Sequence, residues 1–390
     1  MSNRLHGTAP RVRGPLPFDC VALLLQGGGA LGSYQAGVYE ALSEAGITPD
    51  WVAGISIGAV NAAIIAGNAP EDRVARLDSF WSEISANPFS AMSGELAALA
   101  IQGDAARDLF NRLNAAFAAV AGVPGFFAPR PVTPWLMPAG APGATSLYDT
   151  AQLKGTLERL VDFDRINARE MRFSIGAVNV RTGNVVYFDN TTHRIGPEHI
   201  LASGALPPGF QAVEIEGEHY WDGGLVSNTP LHWVFDQEAR RDTLAFQIDL
   251  WNARGGPLRT MAEVATRQKE IQYSSRTRAD TDRIKQTQRL RCALATLLRN
   301  LPEALKSSPE AGMLADYAHA KVCTVVQLIY RSRGYEGESK DYEFSRLSVQ
   351  EHWRAGYVDA VHTLRHPHAL DRPAYAEGVR TFDLAEQDAA

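Results

Sequence analysis

The sequence predicts an α/β protein, a three-layer sandwich in which helices flank a mainly parallel central sheet. Two observations carry this prediction. Short apolar runs of strand type alternate along the chain with segments of helical spacing, a pattern typical of parallel sheets with helical crossovers. In addition, two of these runs end in glycine-rich turns, at 27–32 and 54–58, and each turn leads into a helix pattern. A mainly helical C-terminal extension, residues 251–390, is predicted to pack on this core.

The first strand and helix enclose a run of glycines. Val21 to Leu25 predict a buried strand, and Ser33 to Ala45 have helical spacing. Between them stands a loop whose backbone amides no side chain covers. Because an ester carbonyl develops negative charge when it is attacked, such amides can form an oxyanion hole. The predicted donors are Gly27, Gly28 and Gly29, with Gly32 supporting the loop.

The second unit places a serine on a tight turn. Trp51 to Ala53 predict a short strand, and an apolar helix continues from Asn61 to Ala66. Ser56 stands at the turn between two glycines, which remove the side chains that would clash in so sharp a bend. A serine hydroxyl attacks an ester only when a neighbouring base takes its proton. The predicted nucleophile is Ser56, supported by Gly54 and Gly58.

The predicted base is a carboxylate that follows a later strand. His219 to Trp221 have strand character and lead into Asp222, Gly223 and Gly224. The carboxyl ends of parallel strands converge on one crevice, so Asp222 can meet Ser56 there and act as general base, directly or through a histidine. Taken alone, Asp-Gly-Gly is more often an ordinary turn, and only the two earlier motifs favour catalysis.

A dinucleotide site is the rival interpretation of the glycines. Gly27, Gly29 and Gly32 fit the G-x-G-x-x-G pattern after a strand, and Asp50 stands roughly where the ribose-binding acid would be.

His232, close after Asp222, is the candidate for a triad histidine, although its place at a helix start suggests packing instead.

Composition restricts the function classes. The chain has 390 residues, 45% hydrophobic and 21% charged, with a formal net charge of −6, so nothing indicates nucleic acid as a partner. Cys20, Cys292 and Cys323 are far apart and suggest neither disulfides nor a zinc site. No uninterrupted apolar run is long enough to span a membrane. Residues 1–19 are predicted to be a disordered tail, and the protein to be cytoplasmic, with peripheral membrane contact left open.

The remaining segments are assigned from their spacing. Helices are predicted at 69–85, at 91–121 with Leu113, Phe117 and Val120 in its apolar stripe, at 146–161 and at 199–203. Strands are predicted at 172–180, 185–188 and 244–250.

Residues 122–143 form an unusually long predicted loop with six prolines. Its apolar cluster is predicted to be exposed and consists of Phe126, Phe127, Trp135, Leu136 and Met137. One interpretation is a lid or acyl-chain entrance beside Ser56, and the other is a loop packed on the surface.

At this point the chain resembles the patatin-like phospholipase family. The segment 27–32 is similar to that family's oxyanion loop, Gly54-Ile55-Ser56-Ile57-Gly58 to its nucleophile elbow, and Asp222-Gly223-Gly224 to its D-G-[GA] motif, over about Cys20 to Leu250. The resemblance implies a catalytic domain at 20–250 and a Ser56–Asp222 dyad, rather than a triad, that hydrolyses lipid acyl esters. Neither metal nor cofactor is expected. A non-catalytic lipid-binding or scaffold protein with the same fold is the alternative.

One position departs from that family's pattern. Leu31 stands where the glycine loop usually carries Arg or Lys, a cation that would favour a phosphate group by charge-assisted hydrogen bonding. The resemblance therefore implies lipid esters, with neutral esters or lysolipids more plausible than phospholipids.

The C-terminal third contains a basic segment. Residues 267–299 include nine Lys or Arg against three acids, which suggests a helix attracted to anionic membrane or, more commonly, a solvated helix face. A further strand is predicted at 322–330 and a final helix at 344–364, while residues 372–390 carry no site signal. The sequence does not predict the oligomeric state.

Overall fold

The computed structural model describes residues 8–12, 14–86, 103–237, 241–318 and 321–384, and gives only the backbone for 275–278. Residues 1–7 of the predicted tail lie outside the described residues, as do residues 91–102 of the predicted helix at 91–121. Of the remaining tail, Ala9 is buried and the Val12 amide donates to the Ala45 carbonyl at 3.0 Å.

The strands occupy nearly the predicted segments, with a few additions. They are β1 (Cys20–Leu25), β2 (Trp51–Ile55), β3 (Ala128–Pro129), β4 (Tyr148–Asp149), β5 (Arg172–Asn179), β6 (Val185–Asp189), β7 (Val213–Ile215), β8 (Glu218–Asp222), β9 (Thr243–Asp249), β10 (Cys323–Ile329) and β11 (Val379–Asp383). The strand β11 falls in the C-terminal stretch for which no element was predicted.

One large sheet contains all of these strands except the short β3–β4 pair. Its order, for the described part of the chain, is β11-β10-β9-β1-β2-β5-β8-β7, with β6 also paired to β5. The pairs from β11 to β5 are parallel, whereas β6, β7 and β8 join antiparallel. The predicted mainly parallel sheet is confirmed. The carboxyl ends of β1, β2 and β9 therefore meet at one edge.

Helices cover both faces of the sheet. They are α1 (Ser33–Glu44), α2 (Ile57–Ala66), α3 (Arg73–Ile84), α4 (Asp104–Ala121), α5 (Ala151–Leu160), α6 (Phe163–Asn167), α7 (Pro197–Ser203), α8 (Leu231–Gln237), α9 (Met261–Arg299), α10 (Glu303–Lys306), α11 (Pro309–Ala315) and α12 (Arg346–Arg365). The fold class is thus the α/β three-layer sandwich that the sequence predicts.

The alternation of side chains along β1 explains the three layers. Leu23 and Leu25 pack into the larger core, with α1, α2, α3 and α12, while Ala22 and Leu24 face the smaller core with α8. Successive side chains of a strand point to opposite faces of the sheet, so an uninterrupted apolar run is the expected sequence of a strand buried on both sides.

The C-terminal region extends the sheet as well as covering it. The parallel strand β10 pairs with β9, and β11 pairs with β10, so the predicted boundary at 250 falls in the middle of one sheet. The helix α12 packs so closely along α1 that a Cβ on Gly37 would lie 1.8 Å from the Trp353 carbonyl oxygen. The region 251–384 is therefore continuous with the core.

The predicted apolar stripe of α4 is wrong. Leu113 and Val120 are 62% and 77% exposed, while the face that is buried carries Arg107. The reason is an ion pair, because the Arg107 guanidinium donates to Glu351 at 2.9 Å and to the Ser348 hydroxyl at 3.1 Å on α12.

The exposure predicted for the loop at 122–143 is correct only at its tip. Trp135 and Leu136, in a 3₁₀ turn, are 79% and 78% exposed. Phe127 is instead buried, and Phe126 partly buried, because their rings pack against Phe210 and Phe344 at centroid distances of 5.4 to 6.4 Å.

Candidate active site

Ser56 occupies a strained turn between β2 and α2. Its backbone has φ 55° and ψ −124°, a left-handed conformation that is unfavourable for a serine. The two neighbouring glycines have no room for a side chain: a Cβ on Gly54 would lie 2.3 Å from the Gly58 carbonyl oxygen, and one on Gly58 would lie 2.2 Å from that of Leu25. Close backbone packing therefore fixes the bend that presents the Ser56 hydroxyl.

A second serine, which sequence reasoning did not single out, stabilises this turn. The Ser203 hydroxyl accepts a hydrogen bond from the Ser56 amide at 3.0 Å and donates to the Gly176 carbonyl at 2.7 Å. Ser203 is fully buried at the end of α7. It ties the strained serine to the neighbouring strand β5.

Asp222 lies at the carboxyl end of β8 and meets Ser56. Its buried carboxyl group lines the same cavity as Ser56, and its Oδ1 accepts the Gly224 amide at 2.7 Å. Burial raises the pKa of Asp222 to about 6 from an ordinary 3.8, while the Ser56 side chain and the Gly224 amide oppose that rise. The structure thus brings together the hydroxyl and the carboxylate that are 166 positions apart in the sequence.

The glycine loop, residues 27–32, lies beside this pair. The Gly27 amide already donates to the Asn228 carbonyl at 3.2 Å, so the prediction of Gly27 as an oxyanion donor is wrong. By contrast, the amides of Gly28 and Gly29 make no hydrogen bond to any residue that the structure describes. Gly32 packs against Ile57 and Trp81 and supports the loop from below.

Three side chains hold the glycine loop in place. Both the Asn228 side chain, at 3.0 Å, and the Trp251 indole, at 2.9 Å, donate to the Gly27 carbonyl. Gln26 accepts the Leu250 amide at 2.6 Å through its side chain, while its own carbonyl accepts from Gln35. The only sequence signal for this network is a polar residue near each motif, Gln26 directly before the glycines and Asn228 four residues after Gly224.

The C-terminal region also reaches the glycine loop. The Asp341 carbonyl accepts the Ala30 amide at 2.8 Å, and a Cβ on Gly29 would lie 2.0 Å from the same oxygen. Tyr273 of α9 packs against Trp251 at a ring distance of 5.1 Å. Burial, followed by the charges of Asp341 and Asp222, raises the pKa of Tyr273 to about 12, so its phenol stays neutral. Sequence reasoning found neither Asp341 nor Tyr273.

Ser56, Asp222 and the glycine loop open into one cavity of about 430 Å³. Its walls are mainly apolar and include the rings of Phe126, Phe127, Tyr148, Phe210 and Phe344. Apolar pockets with a few convergent polar groups are typical ligand sites. The 122–143 segment thus contributes two phenylalanines to the wall, which is compatible with an acyl-chain entrance; a lid function remains a prediction.

The other predicted residues lie away from this chemistry. Asp50 precedes β2, at the opposite sheet edge from the glycine loop, and its carboxylate accepts the Val21 amide at 2.8 Å. The dinucleotide interpretation therefore lacks its acid. His232 is about half exposed and pairs with Asp236 at 3.1 Å, so the packing predicted for it is wrong. Leu31 is fully buried in the core, so its position does not face the cavity.

The predicted basic segment lies in the long helix α9. Two of its cations are already paired, Arg267 with Glu270 at 3.1 Å and Lys269 with Asp341 at 2.9 Å.

Gly223 packs on β5, where a Cβ would lie 2.7 Å from the Gly176 carbonyl. Within the described ranges, His, Cys, Asp and Glu side chains form no group of three that could hold a metal ion.

No helix among the residues with described positions has both the length and the apolar character needed to cross a bilayer.

Two family models match this chain. A family model described as patatin-like phospholipase matches residues 23–234, and one described as patatin phospholipase matches residues 271–376. The family resemblance therefore extends beyond Leu250. Patatin-like phospholipase domain-containing protein 7 of Rattus norvegicus is 36% identical over 78 residues. These are 20% of this chain, and the chain spans only 6% of the rat protein.

Among solved structures, VipD from Legionella pneumophila aligns with 97% of this chain and 75% of its own, at 12% identity and a TM-score of 0.39.

Proposed function

Because this chain belongs to the patatin-like phospholipase family, we propose that it is a serine hydrolase of lipid acyl esters that works through Ser56 and Asp222. Family membership supports lipid acyl hydrolysis in general. The observation that supports the specific mechanism is that Ser56 and the buried Asp222 line one cavity together with the glycine loop.

In the proposed mechanism the Asp222 carboxylate takes the Ser56 proton as the serine oxygen attacks the ester carbonyl. The tetrahedral oxyanion accepts hydrogen bonds from the Gly28 and Gly29 amides, which have no other partner among the described residues. Asp222 then passes the proton to the leaving alcohol, leaving an acyl-serine. A water molecule, deprotonated by the same carboxylate, attacks the acyl group. As the acid leaves, Asp222 returns that proton to the Ser56 oxygen, which restores both the serine and the carboxylate.

The pKa of about 6 suits Asp222 to this role. At neutral pH the carboxylate is mostly ionised and can accept a proton, yet it is a stronger base than an ordinary aspartate. General bases work best when their pKa lies near the operating pH. Burial in the apolar cavity is the cause, so the environment that accepts an acyl chain also activates the base.

The cavity supports an acyl chain as the substrate group beside Ser56. Its apolar aromatic wall suits hydrocarbon, and its volume of about 430 Å³ is modest for a ligand pocket. We propose that one acyl chain enters and that the head group remains outside. Leu31 carries no charge and is buried, so this position supplies no cation for a phosphate. Neutral esters, lysolipids and phospholipids are therefore the substrates to compare.

The test combines a covalent probe with one substitution. A fluorophosphonate should label wild type at Ser56 and should not label Ser56→Ala. A lipid-class hydrolysis screen should show acyl release by wild type only, with kcat of Ser56→Ala lower by about 10⁴-fold or more. Full activity of Ser56→Ala on a short-chain nitrophenyl ester, or the absence of labelling in wild type, would refute the proposal.

The remaining alternative is a non-catalytic lipid-binding or scaffold protein, for which vesicle binding without ester hydrolysis is the expected result. Either protein could contact a lipid surface. Within α9, Arg283 and Arg289 are exposed and could attract anionic lipid, whereas the exposed Trp135–Leu136 tip needs no lipid charge. Vesicle binding with and without anionic lipid, comparing Arg289→Glu with Trp135→Ala, identifies the surface in contact.

A further inference from the structure

Two ion pairs of opposite polarity join α9 to the segment that covers the glycine loop. The Lys269 ammonium donates to both carboxylate oxygens of Asp341, at 2.9 and 3.1 Å. The next residue of the helix, Glu270, accepts from Lys340, the residue before Asp341, at 2.8 Å. We name these four residues the charge clamp: Lys269, Glu270, Lys340 and Asp341.

The crossed polarity of the charge clamp selects one register. If the segment shifted by one residue along α9, Lys269 would face Lys340 or Glu270 would face Asp341. Like charges at such short range repel, so the shifted arrangement is penalised while the observed one is favoured. A buried ion pair contributes little net stability, but it is well suited to fixing a register.

The inner pair of the charge clamp, Glu270 and Lys340, is held by further contacts. Lys340 is 1% exposed, donates to the Ser332 hydroxyl at 2.6 Å and lies 5.2 Å from the centre of the Trp251 ring. Glu270 also accepts from Arg267 at 3.1 Å. Trp251 is the same residue that donates to the Gly27 carbonyl, so the inner pair of the charge clamp contacts a residue that holds the glycine loop.

The outer pair of the charge clamp, Lys269 and Asp341, is connected to the glycine loop through main-chain atoms. The Asp341 carbonyl accepts the Ala30 amide, the next amide after the two proposed oxyanion donors. The same oxygen fills the space beside Gly29. Donors for an oxyanion act only when they are fixed in advance, because reorganisation during the reaction would cost the energy they supply.

We propose that the charge clamp positions the glycine loop for catalysis, so that the C-terminal region is a working part of the active site. This inference rests on the proposed function for its kinetic effect. Lys269 and Asp341 are positioning residues, since their side chains act through the Asp341 carbonyl and the Ala30 amide.

Charge reversal tests the outer pair. Lys269→Glu and Asp341→Lys should each lower kcat on a soluble nitrophenyl ester by about 10- to 100-fold, with KM unchanged, because a small displacement of catalytic groups has effects of that size. Neither substitution removes the Asp341 carbonyl, and Lys269→Glu leaves Asp341 itself unchanged, so similar losses in the two variants point to a displaced carbonyl. The double variant, with the charges exchanged, restores an attractive pair but loses the crossed polarity, so it should recover the activity only in part, whereas Lys269→Arg should keep it.

Hydrogen–deuterium exchange gives a readout that needs no activity. The peptide containing Ala30 should lose protection in each single variant and regain part of it in the double variant. Lys306→Glu, which breaks the exposed Glu303–Lys306 pair at 2.7 Å, is the matched control and should change neither readout. If either single variant melts early, Lys269→Gln repeats the test without a reversed charge.

Single reversals with wild-type kcat and protection, or losses of which the double variant recovers nothing, overturn the charge clamp. An inactive, unlabelled wild type whose exchange pattern still follows the charge reversals would refute the proposed function and leave the positioning of the loop intact.

Discussion

The two regions that build the cavity differ in how they specify it. The N-terminal motifs and the Asp222 turn supply every proposed reacting group, and they do so through local backbone geometry, such as the φ of 55° at Ser56. The C-terminal region, 251–384, supplies none of these groups. It contributes contacts from afar, including the Trp251 indole and the Asp341 carbonyl, which hold the glycine loop from two sides.

This difference predicts losses of kcat of two sizes. Replacing a reacting group should remove a step of the reaction, whereas replacing a contact should only loosen the geometry of groups that remain. Substitutions of both kinds test that ranking, and a contact variant that lost as much kcat as a reacting-group variant would contradict it.

The largest effect is expected for Asp222→Asn. An amide cannot take the Ser56 proton, so kcat should fall by about 10⁴-fold, as for loss of the acid in a related dyad or triad. Asp249→Asn is the control: Asp249 is also buried, with a pKa raised by burial to about 7, but its partners are Gln247 and Thr229. It should lose at most about tenfold. Ester hydrolysis by both variants gives the comparison, and equal losses would contradict the role of Asp222.

Asp222 also determines the pH dependence. Because the base must be ionised, kcat/KM should fall about tenfold per pH unit below an apparent pKa of about 6. Stability has the opposite sign. The folded pKa lies above the unfolded value, so the native state binds more protons between pH 4 and 6, and unfolding free energy should decrease by roughly 3 kcal/mol as pH rises through that window. Asp222→Asn should lack this decrease, which denaturant titrations at pH 4 and 8 can measure.

Sequence reasoning recovered the groups that depend on local chain conformation. The strand ends, Ser56, Asp222 and Gly28 are all marked by glycines that a tight turn requires. The contact made by Asp341 had no such mark, since its functional atom is a carbonyl that every residue carries. The stripe of α4 was misjudged for a related reason: Arg107 is buried by an ion pair to α12, and spacing alone cannot show that long-range partner.

An intermediate effect is expected for Gly29→Ala. Gly29 has φ +56°, and a Cβ there would lie 2.0 Å from the Asp341 carbonyl oxygen, so the loop must shift. Loss of one oxyanion donor costs about 10²- to 10³-fold in kcat. Gly46→Ala is the matched control, with φ +78° and open space around the site. It should cost about 1 kcal/mol of stability without lowering kcat. Equal kcat values for the two variants would remove Gly29 from the oxyanion site.

The smallest effect is expected for Trp251→Phe, which keeps a ring in the wall but removes the hydrogen bond from the indole to the Gly27 carbonyl. The Asn228 side chain still donates to that carbonyl at 3.0 Å, so the loop keeps one of its two side-chain contacts there. A single hydrogen bond contributes about 1 kcal/mol, so kcat should fall about fivefold. Trp135→Phe at the exposed tip should leave hydrolysis of a soluble ester unchanged. If kcat fell as much for Trp251→Phe as for Gly29→Ala, the expected difference between contacts and reacting groups would be contradicted.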